Sequence, residues 1–235
     1  MGFREALLVT AAAGVGGTGL GGMAAALFHR GSRKRSSLFL SFAAGVMLSV
    51  SCFGLLTEAA APGDLGLTAL GLCLGCGVTA ALSALLDRGR SGLTLAGLVM
   101  AAAIALHNVP EGMVIGASFA GGAVGRGWTM AAVIGLHNVP EGMAVSAPLA
   151  ADGAGRWRAA GLAALSGAPT VLGAALGYRL GALGPTALTL TLSFAAGAML
   201  YVVFGELLPE SSELWEGRFS ALAAVLGILV GMFIA

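Results

Sequence analysis

Two copies of one seven-residue string carry the chemistry of this chain: His107-Asn-Val-Pro-Glu-Gly-Met113 recurs without change as His137-Asn-Val-Pro-Glu-Gly-Met143. In each copy histidine and glutamate stand four residues apart, one above the other on a helix face. If the two helices face one another, His107, Glu111, His137 and Glu141 converge. Imidazole nitrogen and carboxylate oxygen together suit zinc and neighbouring first-row divalent ions, and the lack of a thiolate in the motif disfavours copper(I). Asn108 and Asn138 add carbonyl oxygens one position along. Pro110 and Pro140 each remove a helix hydrogen bond, to the carbonyls of Leu106 and Leu136, and are expected to kink their helices.

The surroundings make these groups expensive. Of 235 residues 57% are hydrophobic and 10% charged, where a soluble domain carries roughly 25% charge. Apolar runs broken by charge or by Pro and Gly predict eight membrane-spanning helices at residues 5–28, 38–60, 65–86, 92–119, 128–150, 158–180, 186–208 and 218–235, with no room for a separate soluble domain. Continuous rather than alternating apolarity excludes a barrel, so the expected fold is an all-α integral membrane bundle forming a single domain over 1–235. The opening residues, Met1 to Glu5, lead into a run too long for a signal-peptide core and read as the first span. His107 and His137 then fall near the bilayer midplane. Each ionised carboxylate there costs about 2.5–3.5 kcal/mol, and a divalent cation held by Glu111 and Glu141 would remove most of that. The competing reading is a buried polar network that glues two helices, with both glutamates protonated.

Orientation and symmetry follow from the links. Nine Lys and Arg (Arg30, Arg33, Lys34, Arg35, Arg88, Arg90, Arg156, Arg158, Arg218) lie after odd-numbered spans and three (Arg4, Arg126, Arg179) on the other side, which predicts both termini outside the cytoplasm. Ser41-Phe-Ala-Ala-Gly-Val-Met-Leu48 returns as Ser193-Phe-Ala-Ala-Gly-Ala-Met-Leu200, and at the same offset of 152 Glu58 is matched by Glu210. An even and an odd span run in opposite directions, so the duplication is an inverted one, as in many alternating-access carriers. Packing of small residues also explains such repeats, and 39 glycines offer it.

The paired His-Asn-x-Pro-Glu-Gly motifs resemble those of the ZIP divalent-metal transporters, particularly their bacterial GufA-like branch, and the resemblance extends over essentially the whole chain. It implies a 3+2+3 helix arrangement in which spans 1, 4, 5 and 6 move against spans 2, 3, 7 and 8. It further implies movement of zinc, or of iron, manganese, cobalt or cadmium, toward the cytoplasm across a plasma or inner membrane, and a homodimer. One metal falls to His107, Glu111, His137 and Glu141. Asn108 and Asn138, bridged by the glutamates, would hold a second. Relatives place an acid after a Ser-Gly pair in span 6; here Ser166-Gly167 leads to Thr170, which puts that second site in doubt. The family's histidine-rich loop between spans 3 and 4 is missing.

Other residues are read as pathway or filler. Glu58 at the outer mouth, and Glu206 and Glu210 with Glu213 and Glu216 at the inner, would raise local cation concentration. The repeat mates Met47 and Met199, and Ser166 and Thr170, are pathway candidates. Cys73 and Cys76 form a lone Cys-x-x-Cys, short of the four ligands of a structural zinc site, and His29 reads as an interface residue. The metal is therefore expected as transported substrate rather than cofactor. A net charge of +1 argues against nucleic-acid binding. The alternative function is an intramembrane metallohydrolase, which needs a free general base beside metal-bound water and lacks a His-Glu-x-x-His helix.

Overall fold

The computed structural model describes residues 1–28, 33–86, 93–122, 124–151, 155–215 and 217–234. These residues form helices and turns without a strand. Eight helical runs follow one another: α1 (3–28), α2 (33–60), α3 (Leu65–Leu86), α4 (Leu93–Ala120), α5 (Val124–Ala151), α6 (156–181, interrupted by a turn at Gly167 and Ala168), α7 (185–214) and α8 (Arg218–Ile234). Among the described residues, five helices are long and apolar enough to cross a membrane, namely Phe3–Leu27, Arg33–Ala60, Leu65–Leu85, Arg156–Gly181 and Pro185–Leu214, and Arg218–Phe233 is a shorter apolar helix.

Two departures from the sequence expectation concern helix ends. α2 begins at Arg33 rather than near residue 38, and α7 continues to Leu214 rather than 208. The basic cluster is itself helical because it has partners: the Arg33 guanidinium donates to the carbonyls of Glu213 and Leu214, at 2.9 and 3.2 Å, and Lys34 lies over the rings of Trp215 and Phe219. α4 and α5 also run as unbroken α-helix through Pro110 and Pro140. The backbone loosens elsewhere, in π-helical turns at Ala12–Gly16 of α1, Val50–Leu55 of α2 and Val203–Leu207 of α7. The last two coincide at the 152-residue offset of the repeat, and the turn of α6 stands at that offset from the π turn of α1.

Small residues set the helix partners. A Cβ on Gly21 would run into the Val139 carbonyl and one on Gly142 into that of Thr18, so α1 and α5 meet backbone to backbone. Gly173 against Val109 and Gly112 against Thr170 join α6 to α4 in the same way. Gly45 against Ala224 and Gly227 against Phe42 join α2 to α8; Gly197 against Leu72 and Gly75 against Phe194 join α7 to α3. Each of these glycine contacts has its counterpart: residues of α1, α2 and α3 shifted by 152 become those of α6, α7 and α8, while α4 and α5 exchange. With lipid tails as apolar as leucine, such close approach is what holds helices together.

Between these pairs lies an apolar core that includes Met47, Val50, Leu55, Ile115, Phe119, Ile134, Met199 and Val202. At one end Ser41 and Ser37 meet Ser211 of α7 at 2.6 and 2.9 Å, and Ser37 meets Ser220 of α8 at 2.8 Å. α4 and α5 touch each other, and α4 also meets α7 while α5 meets α2. That central position buries Asn108, Glu111, His137, Asn138 and Glu141.

Candidate metal centre

Glu111 of α4 and Glu141 of α5 have no exposed surface, and His137 is 3% exposed. Glu111 Oε1 lies 2.7 Å from His137 Nε2 across the α4–α5 interface. Glu141 follows one turn beyond His137, and ligand atoms of all three side chains fall within 4.8 Å of one another. Bonds of about 2.0–2.2 Å separate donors on opposite sides of a zinc ion by at most about 4.4 Å, so closing this group on a metal takes rotamer-scale movement.

Two of the atoms involved are unsatisfied. His137 Nδ1 and Glu141 Oε1 are buried without a hydrogen-bond partner among the described residues. Buried polar atoms are nearly always paired, and an ionised carboxylate oxygen can only accept. A cation held between Glu111, His137 and Glu141 would give the free Glu141 oxygen a partner. The fourth expected ligand, His107, lies on α4 one turn before Glu111; its side chain is outside the described residues.

The two asparagines, identical in sequence context, are used differently. Asn108 is tied to α6: its Nδ2 donates to the Ser166 carbonyl at 3.0 Å, and its Oδ1 accepts from Thr170 Oγ1 at 3.2 Å. Thr170 and Ser166 are buried and fix their own hydroxyls on the carbonyls of Gly167 and Ala163, each at 2.7 Å. Asn138 faces the acidic group instead. With its amide nitrogen toward the surrounding acceptors it reaches Glu111 Oε2 at 3.1 Å, the Ile134 carbonyl at 3.2 Å and His137 Nε2 at 3.3 Å. In the opposite orientation it meets Asn108 Oδ1 at 3.4 Å.

The remaining candidates scatter. Met47 and Met199 are fully buried in the apolar core, and Glu206 and Glu210 are half-buried on α7, Glu206 within its π turn. Cys73 and Cys76 are exposed free cysteines on α3. His29, Arg30, Arg88, Arg90 and Glu216 lie outside the described residues. Glu58 has a partner that sequence spacing does not reveal, the guanidinium of Arg126 at the start of α5.

A helical bundle with several membrane-length apolar helices, built around a buried imidazole–carboxylate group that could hold a metal ion, defines the class as an all-helical membrane protein. Comparison with known proteins narrows this. The family model described as ZIP Zinc transporter matches residues 89–235. The chain is 32% identical, over 95% of its length and 78% of the relative's, to the zinc transporter ZIPB of Bordetella bronchiseptica. It is 33% identical to the zinc transporter ZupT of Chlorobium luteolum, over 98% of its length and 95% of that protein. The zinc transporter GufA of Myxococcus xanthus is 40% identical over 59% of the chain and 53% of its own length. The chain belongs to the ZIP zinc transporter family.

Proposed function

We propose that the protein carries divalent transition-metal ions, zinc first among them, across a plasma or inner membrane toward the cytoplasm, binding them at Glu111, His137 and Glu141 with His107 as the fourth ligand. One observation carries this reading: two buried carboxylates and an imidazole, drawn from two helices, bring ligand atoms within 4.8 Å of one another, and Glu141 Oε1 has no hydrogen-bond partner among the described residues. Two carboxylates balance the charge of a divalent ion, and neutral imidazole keeps the coordination exchangeable. A carrier site has to release its cargo as well as hold it.

Support for alternating access comes from the matched pairings α1·α5 with α6·α4 and α2·α8 with α7·α3. These divide the bundle into one unit of α1, α4, α5 and α6 and another of α2, α3, α7 and α8, related by a two-fold exchange of the inverted-repeat kind. The metal ligands all belong to the first unit, so movement of that unit against the second would carry the ion with it. Eight spans with both termini outside the cytoplasm remain the topology that the basic residues favour. Asn108 is a positioning residue in this scheme, and Asn138 is the amide closest to the metal.

The test is zinc uptake into proteoliposomes by the wild type, His137→Ala and Glu141→Ala, with the metal content of each purified protein measured alongside. Uptake and bound zinc lost together in the variants is the expected result. Bound zinc retained in both, or a wild type that binds zinc without moving it, would overturn the proposal.

A further inference from the structure

A second polar feature lies on the same helix faces as the metal centre but at a different depth. Ser118 stands seven residues beyond Glu111 on α4, and Met130 seven residues before His137 on α5. Seven residues make two helical turns, so both point the way their partners do, about 10 Å along the axes. Ser118 and Met130 line a cavity of about 480 Å³ completed by Phe53, Leu55, Thr57 and Glu58 of α2 and by Arg126 of α5. Ser118 is 4% exposed, and its hydroxyl has no hydrogen-bond partner among the described residues. The Glu58 carboxylate is paired with Arg126 across the cavity, their side chains 25% and 48% exposed.

Three facts converge on a ligand of positive charge. The cavity continues the line of the metal centre, and it holds an acceptor carboxylate and an unpartnered buried hydroxyl. The cation that now sits on that carboxylate is the protein's own. We propose that the cavity is a capture site for a divalent metal ion, with Glu58 as its anionic ligand and the Ser118 and Thr57 hydroxyls as neutral ones, and that Arg126 is a built-in counter-ion which the entering metal displaces. The arrangement rests on the transport reading given above. Its oxygen-only donors bind more weakly than the imidazole–carboxylate centre, as a staging site must if the ion is to pass on.

Glu58 belongs to α2 and Arg126 to α5, so the ion pair also ties the two units together. Displacing Arg126 removes that tie at the moment a metal arrives. A pair this exposed contributes modestly, enough to bias an equilibrium without locking it.

The experiment is zinc titration by calorimetry on purified full-length protein carrying Glu141→Gln, which disables the deep centre. Arg126→Gln, Glu58→Gln and their combination are added to it. A weak zinc equivalent is expected, tightened about two- to five-fold by Arg126→Gln and abolished by Glu58→Gln with or without Arg126→Gln. Arg126→Lys should leave it near the starting value. Melting of each variant without zinc verifies folding, and Glu58→Ala repeats the loss should Glu58→Gln fold poorly. Zinc binding that survives in both folded Glu58 variants, or that Arg126→Gln leaves unchanged or weakens, would overturn the proposal. Since the deep centre is already disabled, neither outcome bears on Glu111 and His137; failure of the transport reading would show instead as absent uptake by the wild type.

Discussion

Glu141 carries one buried oxygen with no partner, and an uncompensated buried acceptor costs about 1–3 kcal/mol, more when charged. The metal-free protein should therefore gain from losing it. Glu141→Gln is expected to melt at or above the temperature of the metal-free wild type, and to lose the rise in melting temperature that zinc gives the wild type through preferential binding to the folded state. Thermal melting in detergent with chelator and with excess zinc checks both halves, and a metal-free variant that melts far below the wild type would indicate a structural carboxylate. Thr170 has the opposite signature. Its hydroxyl satisfies Asn108, so Thr170→Val should lower stability by about 1 kcal/mol whether or not zinc is present, with bound zinc retained; denaturant midpoints with and without zinc would show it. The sequence makes the first of these roles legible and not the second. Glu111, His137 and Glu141 can be read out because a four-residue step fixes one helix face, and an exact duplicate supplies the facing helix. Asn108 and Asn138 have identical neighbours in sequence and different partners in space, since Asn108 reaches Ser166 and Thr170 of α6 while Asn138 turns toward Glu111. Arg126 and Glu58 are 68 residues apart, and charge counting places them on one side of the membrane without pairing them.

Helix partners are decided by where glycine allows backbones to touch, and this yields a contrast within single helices. Gly112→Ala would drive a methyl group into the Thr170 carbonyl, and Gly173→Ala into that of Val109. Each should cost about 1–3 kcal/mol as overpacking and disturb the metal centre by prising α4 from α6, so zinc binding should weaken along with stability. Gly77 of α3 and Gly161 of α6 have open space where a Cβ would go. Gly77→Ala and Gly161→Ala should be neutral or stabilise by up to about 1 kcal/mol through helix propensity. Melting temperatures of the four variants test the contrast, and equal losses in all four would contradict the close-approach account. The small-residue spacing at Gly173 and Gly177 and at Gly71 and Gly75 is visible in the sequence; the partner of each stripe is not, because a glycine records that something comes close without recording what. The π turns are hidden for a similar reason, since a one-residue widening of the hydrogen-bond ladder leaves the apolar composition of α2 and α7 unchanged.

At the scale of the whole molecule, the two-fold exchange of helix pairs matters only if the two halves face opposite sides of the membrane. Two positions near helix ends carry the test. Gly125, near the start of α5 and close to Arg126, belongs to the side that has few basic residues; Gly155, just before Arg156 and Arg158, belongs to the basic side. Both are exposed with open space around them, so cysteine is tolerated at either. In a background from which Cys52, Cys73 and Cys76 have been replaced, an impermeant maleimide added to intact cells should label Gly125→Cys at once and Gly155→Cys only after permeabilisation. The reverse pattern would turn the molecule over and put the Glu58–Arg126 cavity on the cytoplasmic side, making it an exit rather than an entrance. Labelling of both positions from outside would be incompatible with an odd number of crossings between them, and the single helix α5 spans that interval. The expected pattern also gives the residue-scale result its direction: with Gly125 outside, the line from Arg126 and Glu58 through Ser118 to Glu111 and His137 runs inward from the external medium, and the half-buried Glu206 and Glu210 on α7 are left to the cytoplasmic part of the path.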